Sequence, residues 1–284
     1  MAIHYLHQNM HLGQDSECDQ WAEQLLHIGV TEGDIMLPGH MHCGDDMNSL
    51  INALYSQLLT QNQNKQLLDQ YFLDCTILSP RNDQVHEINP TILDSVAHQE
   101  KITYLSADSV MDQEYNYIQP EVSHTFSSSG IPLHKLDLKN GALLMLLHNL
   151  DPTHGLCNGT CLRLLRSVCQ ILECHVLSEN GANNVVFISH MALDSGIEDS
   201  PAPFHRLQFP VYLAYAMIIN KSQGQTIKHV GLNLSFPVFS HGQLYVALSH
   251  CTHPRNIKVL FPNDQENTKA TNVVWTEVFR NLKI

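Results

Sequence analysis

The stretch Tyr215-Ala-Met-Ile-Ile-Asn-Lys-Ser-Gln-Gly-Gln-Thr runs from apolar residues straight into glycine, amide and hydroxyl side chains. That order suits contact with phosphate, because bare backbone amides and short donors at a strand end let an anion approach closely. Ser222, Gln223, Gly224, Gln225 and Thr226 meet the need, and Lys221 sets a positive charge beside them. Read alone, the same residues are also a plain turn between a strand and a helix. A second polar group, Ser79-Pro-Arg-Asn, again follows an apolar run, Thr76-Ile-Leu. Metal chemistry is a rival reading: Cys18, His40, His42 and Cys43, or His250, Cys251 and His253, supply soft ligands. Their spacings match no known finger and the chain has no C-x-x-C pair, so core or surface histidines describe them better. Asp151, Asp194, Glu198 and Asp199 can be drawn as an acid–base pair but read better as solvated loop charges. No G-x-x-x-x-G-K-[ST] phosphate loop occurs in the sequence.

Composition bounds what these groups can do. With 284 residues, 43% hydrophobic and 15% charged, the chain is globular and large enough to bury a core. Its formal charge of −13 works against loose binding to any polyanion. Histidine is in excess, 19 copies against 15 lysines and arginines together. Apolar runs such as Gly141–Leu147 are far too short to span a bilayer, and no leader is visible after Met1. Eight scattered cysteines predict reduced thiols and an intracellular compartment, with no membrane as partner.

Periodicity supplies the elements that position the polar groups. Residues 13–29 predict a capped amphipathic helix with Trp21, Leu25 and Ile28 on one face and Gly29 closing it. A second helix is predicted over 46–60, and a short strand and turn at Asp34–Gly39 lies between. Tyr71–Pro80 holds a buried strand at Thr76–Leu78, and Asn82–Leu93 a helix. Residues 108–131 read as loop. From 133 the period turns to strands: Leu133–Leu147, Cys161–Arg166, Cys169–Leu177 and Asn184–Ile188, with Asn180-Gly181 as a hairpin tip. Then come a strand at Val211–Ile219, a strand at His229–Leu234, a helix at His241–Leu248, a strand at Ile257–Leu260 and a short helix at Val273–Leu282. Strand, connector and helix in this order build an α/β layer.

Two stretches carry a resemblance. Tyr215–Thr226 looks like helicase motif V of Pif-type superfamily 1 DNA helicases, and His241-Gly-Gln-Leu-Tyr-Val-Ala-Leu-Ser is similar to the lead-in of their motif VI. Val230-Gly-Leu and Phe236-Pro-Val-Phe-Ser keep the family's order and spacing between them. Leu78–Asn89 resembles the strand and helix that open the second motor domain. Leu138-Lys-Asn-Gly-Ala, Asn149-Leu-Asp-Pro and Gly155-Leu-Cys-Asn-Gly-Thr resemble the entry to its SH3-like insert. Leu6-His-Gln-Asn-Met-His-Leu resembles the motif joining the two motor domains. The likeness spans roughly residues 5–262, and the wording of Gly155–Thr160 and His241–Leu248 is nearest to helicases carried by Helitron transposons.

The resemblance implies a RecA-like α/β motor domain with an inserted SH3-like β-barrel. It divides the chain into 1–131 (first part of the motor domain), 132–206 (insert), 207–262 (remainder, motifs V and VI) and 263–284 (tail). It implies ATP-driven 5′-to-3′ unwinding of DNA. DNA contacts would fall to Ser79, Arg81, Asn82, Asn220, Lys221, Ser222, Gln223 and Thr226, and nucleotide contacts to Gly224, Gln225 and Tyr245. Gln8, His11 and His250 stand at catalytic positions, the last two where the family places arginines that neutralise the γ-phosphate. A neutral imidazole offers one donor and no permanent charge, so neither replaces an arginine finger at neutral pH. Intact family enzymes use ATP and Mg²⁺; with no phosphate loop, this chain alone is expected to bind neither and to need an N-terminal helicase domain as partner. Other partners implied are single-stranded or duplex DNA, in the nucleus or mitochondrion. His11, Cys75, His148, Cys161, His190 and His250 replace arginine of the family, and Ile218 replaces threonine. All are changes that one C-to-T transition makes, which suggests a decaying transposon copy. The competing classes are a non-catalytic nucleic-acid-binding or interaction module and a metal-binding module.

Overall fold

The computed structural model describes residues 16–56, 65–96, 100–110, 130–168, 170–177, 184–195, 203–223, 225, 227–262 and 268–279. In chain order the helices are α1 (Ser16–Val30), α2 (Met47–Tyr55), α3 (Lys65–Asp74), α4 (Asn82–Val96) and α5 (Gln243–Ser249). The strands are β1 (Gly33–Met36), β2 (Cys75–Ser79), β3 (Ile102–Leu105), β4 (Ala107–Val110), β5 (Lys135–Leu138), β6 (Leu143–Leu146), β7 (Cys161–Val168) and β8 (Ile171–Val176). They continue with β9 (Val185–Ser189), β10 (Met191–Asp194), β11 (Phe204–Gln208), β12 (Val211–Leu213), β13 (Ala216–Ile218), β14 (His229–Asn233), β15 (Ile257–Leu260) and β16 (Lys269–Asn272). Two compact units result: Met1–Asn64 with Asp74–Ile88 and Ala216–Ile284, and Lys65–Leu73 with Asn89–Tyr215.

The first unit is built on a parallel sheet in the order β13-β2-β14-β15. A parallel strand covered on both faces reads as an unbroken apolar run; in β2 all five residues are buried, as the run Thr76-Ile-Leu predicts. Helix α2 lies on this sheet where Gly231 leaves room, since a Cβ there would sit 3.0 Å from both methyls of Leu54. Asp46 caps α2, its carboxylate accepting from the Ser49 amide at 2.7 Å. Helix α1 buries Cys18, Trp21, Leu25 and Ile28. Gly29 does not close α1: the helix runs on to Val30, and the glycine's open face lets the Tyr245 ring approach, 3.4 Å from where a Cβ would be. A second departure is the tail, where a strand, β16, pairs antiparallel with β1 and, among the described residues, the single turn Thr276–Phe279 is helical. Within Tyr71–Pro80, residues up to Asp74 are helical as the end of α3.

The second unit is antiparallel: five strands in the order β12-β6-β7-β8-β9, three in the order β10-β11-β4, and the pair β3-β5. Part of the stretch expected as loop, Ala107–Val110, is strand β4 paired to β11. Strand β6, between β12 and β7, is buried throughout, and Leu162, Leu164, Leu172 and Ile188 complete the apolar layer. Two ion pairs are buried with it. Arg206 holds Asp108 with two hydrogen bonds, 3.0 and 2.7 Å, both side chains all but fully enclosed. Arg163 grips Asp69, with His175 Nδ1 at 3.2 Å from the same carboxylate. The predicted strand Val211–Ile219 is two strands in different sheets, because the chain leaves one unit and enters the other at Tyr215–Ala216. The Asn180-Gly181 tip lies outside the described residues.

Candidate functional site

Ligands of open parallel sheets gather outside the carboxyl ends of the strands. Here β2 ends at Ser79-Pro80, β13 runs into the single-turn helix Ile219–Ser222, and β14 leads to the loop 234–242. Between these ends lies a cleft of about 770 Å³ lined by Pro80, Arg81, Asn82, Asp83, Ile218, Asn220, Phe236, Pro237 and Phe239. Two glutamines fix its walls. Gln84 accepts the Ser79 hydroxyl at 2.5 Å and donates to Ser235 Oγ at 2.7 Å. Gln243, at the start of α5, donates to the Pro80 carbonyl at 3.4 Å and accepts the Phe239 amide at 3.2 Å. Both amides are buried, so the loop bearing the phenylalanines is tied to the end of β2 rather than draped over it.

Arg81 is held by Asp83, Nε to Oδ1 at 3.1 Å and Nη2 to Oδ2 at 2.5 Å. That hydrogen bond from Arg81 keeps the Asp83 carboxyl below its ordinary value. The guanidinium carbon lies 5.0 Å from the Phe236 ring centroid, a cation–π arrangement. Phe236 is 49% and Phe239 64% exposed, large apolar area left open on a fixed loop. Asn82 and Asn220 are exposed beside them.

The predicted phosphate turn is differently arranged from its sequence reading. Ser222 is fully buried and its hydroxyl donates to the Ile219 carbonyl at 2.6 Å, so it holds the turn together. Ser79 is equally enclosed, its hydroxyl spent on Gln84. Lys221 is half-buried, and burial pushes its ammonium pKa down. Gln223 is exposed and Gln225 half-buried, its amide donating to the Ser222 carbonyl at 2.9 Å. Gly224 and Thr226, like Gln8 and His11, lie outside the described residues. His250 is buried at the end of α5, with Nε2 2.6 Å from the Ser222 carbonyl and Nδ1 on the Val246 carbonyl. The turn and α5 are thus neighbours, as the motif order requires, and Ile227 forms a parallel bridge with Cys251. Tyr245 is not in the cleft: its ring lies against Gly29 of α1. The arrangement therefore gathers Arg81, Asn82 and Asn220, and turns Ser79, Ser222 and His250 inward. Sequence reasoning missed Phe236 and Phe239 as surface groups and Gln84 and Gln243 as clamps; the signal available was a pair of aromatics beside a proline in a loop.

Among the described residues no group of three His, Cys, Asp or Glu is placed to hold a metal ion. The thiols of Cys43 and Cys251 donate to the Val259 and Lys228 carbonyls at 3.4 and 3.1 Å. Asp151 is occupied by Thr153 and His154, and Asp194 by His205. No helix among the described residues is long and apolar enough to cross a membrane.

A parallel sheet with its polar turns at the carboxyl ends, together with an antiparallel unit, makes a RecA-like mixed α/β fold. The fold is that of Pif1 helicase from Candida albicans (TM-score 0.60, 20% identity, 92% of this chain and 57% of that one) and of Pif1 from Bacteroides in complex with ADP-AlF3 and ssDNA (0.57, 19%, 94% and 53%). Residues 121–166 match the family profile "DNA helicase Pif1, 2B domain". The chain is 33% identical over 147 residues to the human ATP-dependent DNA helicase PIF1, covering 50% of this chain and 22% of that protein. It is 48% identical over 52 residues to Pif1 of Campylobacter jejuni, 18% of this chain and 11% of that protein. The chain is thus similar to Pif1 helicases over part of its length, and the matched part includes the 2B-domain profile at residues 121–166. It corresponds to about a fifth of the human protein and about half of the solved structures.

Proposed function

We propose that this chain is a motor portion of an ATP-dependent, 5′-to-3′ DNA helicase and that it binds single-stranded DNA across the carboxyl ends of β2, β13 and β14. The observation that carries the reading is the cleft itself: Arg81 and Asn82, from the stretch Leu78–Asn89, meet Asn220, from the stretch Tyr215–Thr226, there. A relative of the same fold was crystallised with ssDNA, which supports the ligand class. ATP and Mg²⁺ belong to the intact family enzyme. Two observations support a chain that binds no triphosphate by itself: the Tyr245 ring lies against Gly29 of α1, and the His250 ring is buried with its nitrogens beside the Val246 and Ser222 carbonyls. Losing one arginine finger costs about three to five decades in rate, so the chain by itself turns over no measurable ATP. Fluorescence anisotropy with a labelled oligothymidylate tests the binding. Saturable binding that Arg81→Ala and Asn220→Ala each weaken is the expected result, and no binding at low salt overturns the assignment. ATP turnover by the purified chain, lost on His250→Ala, overturns the inactivity.

The Helitron likeness and the run of arginine-to-histidine and arginine-to-cysteine positions support a transposon-borne, mutated copy. Codons at His250, Cys161 and Cys75 that one C-to-T transition cannot derive from arginine codons refute that history.

A further inference from the structure

The cleft carries more aromatic surface than positive charge. Arg81 is its lining cation among the described residues, and Asp83 already compensates that charge through two hydrogen bonds. What the guanidinium still offers is its flat face, stacked over Phe236. Phe239 stands more open still, at 64% exposure. Neither exposure is a fraying loop. The segment is fastened at Ser235 by Gln84 and at Phe239 by Gln243, two buried amides anchored on the end of β2. A fixed loop that keeps two aromatic rings in water, with the amide side chains of Asn82 and Asn220 on the same cleft, is shaped for a flat ring edged with hydrogen-bonding groups.

We infer that Phe236 and Phe239 form a stacking ledge for an unpaired base of single-stranded DNA, with the Arg81 guanidinium extending the aromatic surface and the two asparagines facing the base edge. This rests on the single-strand reading above and deepens it: the chain grips the strand by its bases more than by its phosphates. Every base has a π-face, so stacking of this kind tolerates any sequence.

Three ligands separate the possibilities, tested by anisotropy on the full chain: oligothymidylate, an abasic deoxyribose-phosphate strand of equal length, and thymidine monophosphate as competitor. The ledge requires the abasic strand to bind more weakly than oligothymidylate, by about 5- to 150-fold, the range one base-stacking contact represents. Phe239→Ala and Phe236→Ala should each lower oligothymidylate affinity toward the abasic level and leave abasic binding unchanged, and Phe239→Ala should leave the melting temperature unchanged because that ring is exposed. Phe239→Trp should restore binding. Equal affinity for the two strands, or equal losses on both in the alanine variants, overturns the ledge while leaving single-strand binding intact. Absence of binding to either strand overturns both. Monophosphate that binds as tightly as the strand, and depends on Phe239, overturns the strand assignment in favour of a free-nucleotide site.

Discussion

At the scale of the residue, the cleft depends on side chains that never touch its interior. Gln84 reconciles a hydroxyl donor and a hydroxyl acceptor 2.5 and 2.7 Å away, and an alanine there leaves the buried Ser79 hydroxyl short of a partner and releases the exposed Ser235. Gln84→Ala is expected to cost about 1–3 kcal/mol in urea unfolding, and to weaken oligothymidylate binding because Ser235 is released. An unchanged midpoint would show that water replaces the amide freely. His250 poses the same question on the other side of the turn. Its ring ties α5 to the Ser222 carbonyl, so His250→Ala should also lose about 1–3 kcal/mol; a melting curve identical to the parent's would mean the bridge contributes nothing. These roles were only half legible. Ser79 and Ser222 read as polar residues ending apolar runs, which they are. Whether a hydroxyl points to solvent or to a carbonyl depends on a partner that local sequence does not name. Phe236 and Phe239 were invisible as a site because an aromatic beside proline looks like core; their exposure is enforced by Gln84, 151 positions before Ser235.

At the scale of the element, what was legible follows from local period, and what was not follows from pairing at long range. The all-buried run of β2 and the helical spacing of Leu50, Ile51, Leu54 and Tyr55 are written in the chain and appear as read. Strand β16 was not read from the sequence because its partner β1 lies more than two hundred positions earlier. The break between β12 and β13 was missed because the two apolar segments join without a turn residue, and only their different sheets separate them. Two elements allow direct tests. In β14, Gly231→Ala would push a Cβ to 3.0 Å from Leu54 and 3.2 Å from Ile77, so overpacking of about 1–3 kcal/mol is expected in denaturant unfolding. A neutral result would mean α2 shifts without strain. In the antiparallel unit, β4 and β11 are pinned by Arg206 and Asp108. Removing one partner of a buried pair strands a charge, so Asp108→Ala should cost about 3–5 kcal/mol, while Arg206→Met with Asp108→Leu should recover most of it. Equal losses in the single and double variants would place the energy in packing and not in charge.

At the scale of the whole molecule, the formal charge of −13 limits how the proposed DNA ligand can be held. A chain this acidic gains little from the diffuse attraction that draws basic proteins to a polyanion, and the long-range field slows encounter with a strand. Binding must come from a few short-range contacts, and the sequence states that constraint without saying where they lie. Among the described residues near the cleft the cations are Arg81, already paired with Asp83, and Lys221, half-buried. Each phosphate neutralised on a single strand contributes about −0.7 to the slope of log affinity against log salt. Two cations therefore set a slope of about −1.4 as the steep limit, and the Arg81–Asp83 pair brings the expected value closer to zero. Titrations of oligothymidylate between low and physiological salt measure it directly. A slope of about −3 or steeper would require phosphate contacts well beyond this cleft, and the strand would then be held by its backbone, with Phe236 and Phe239 left as bystanders.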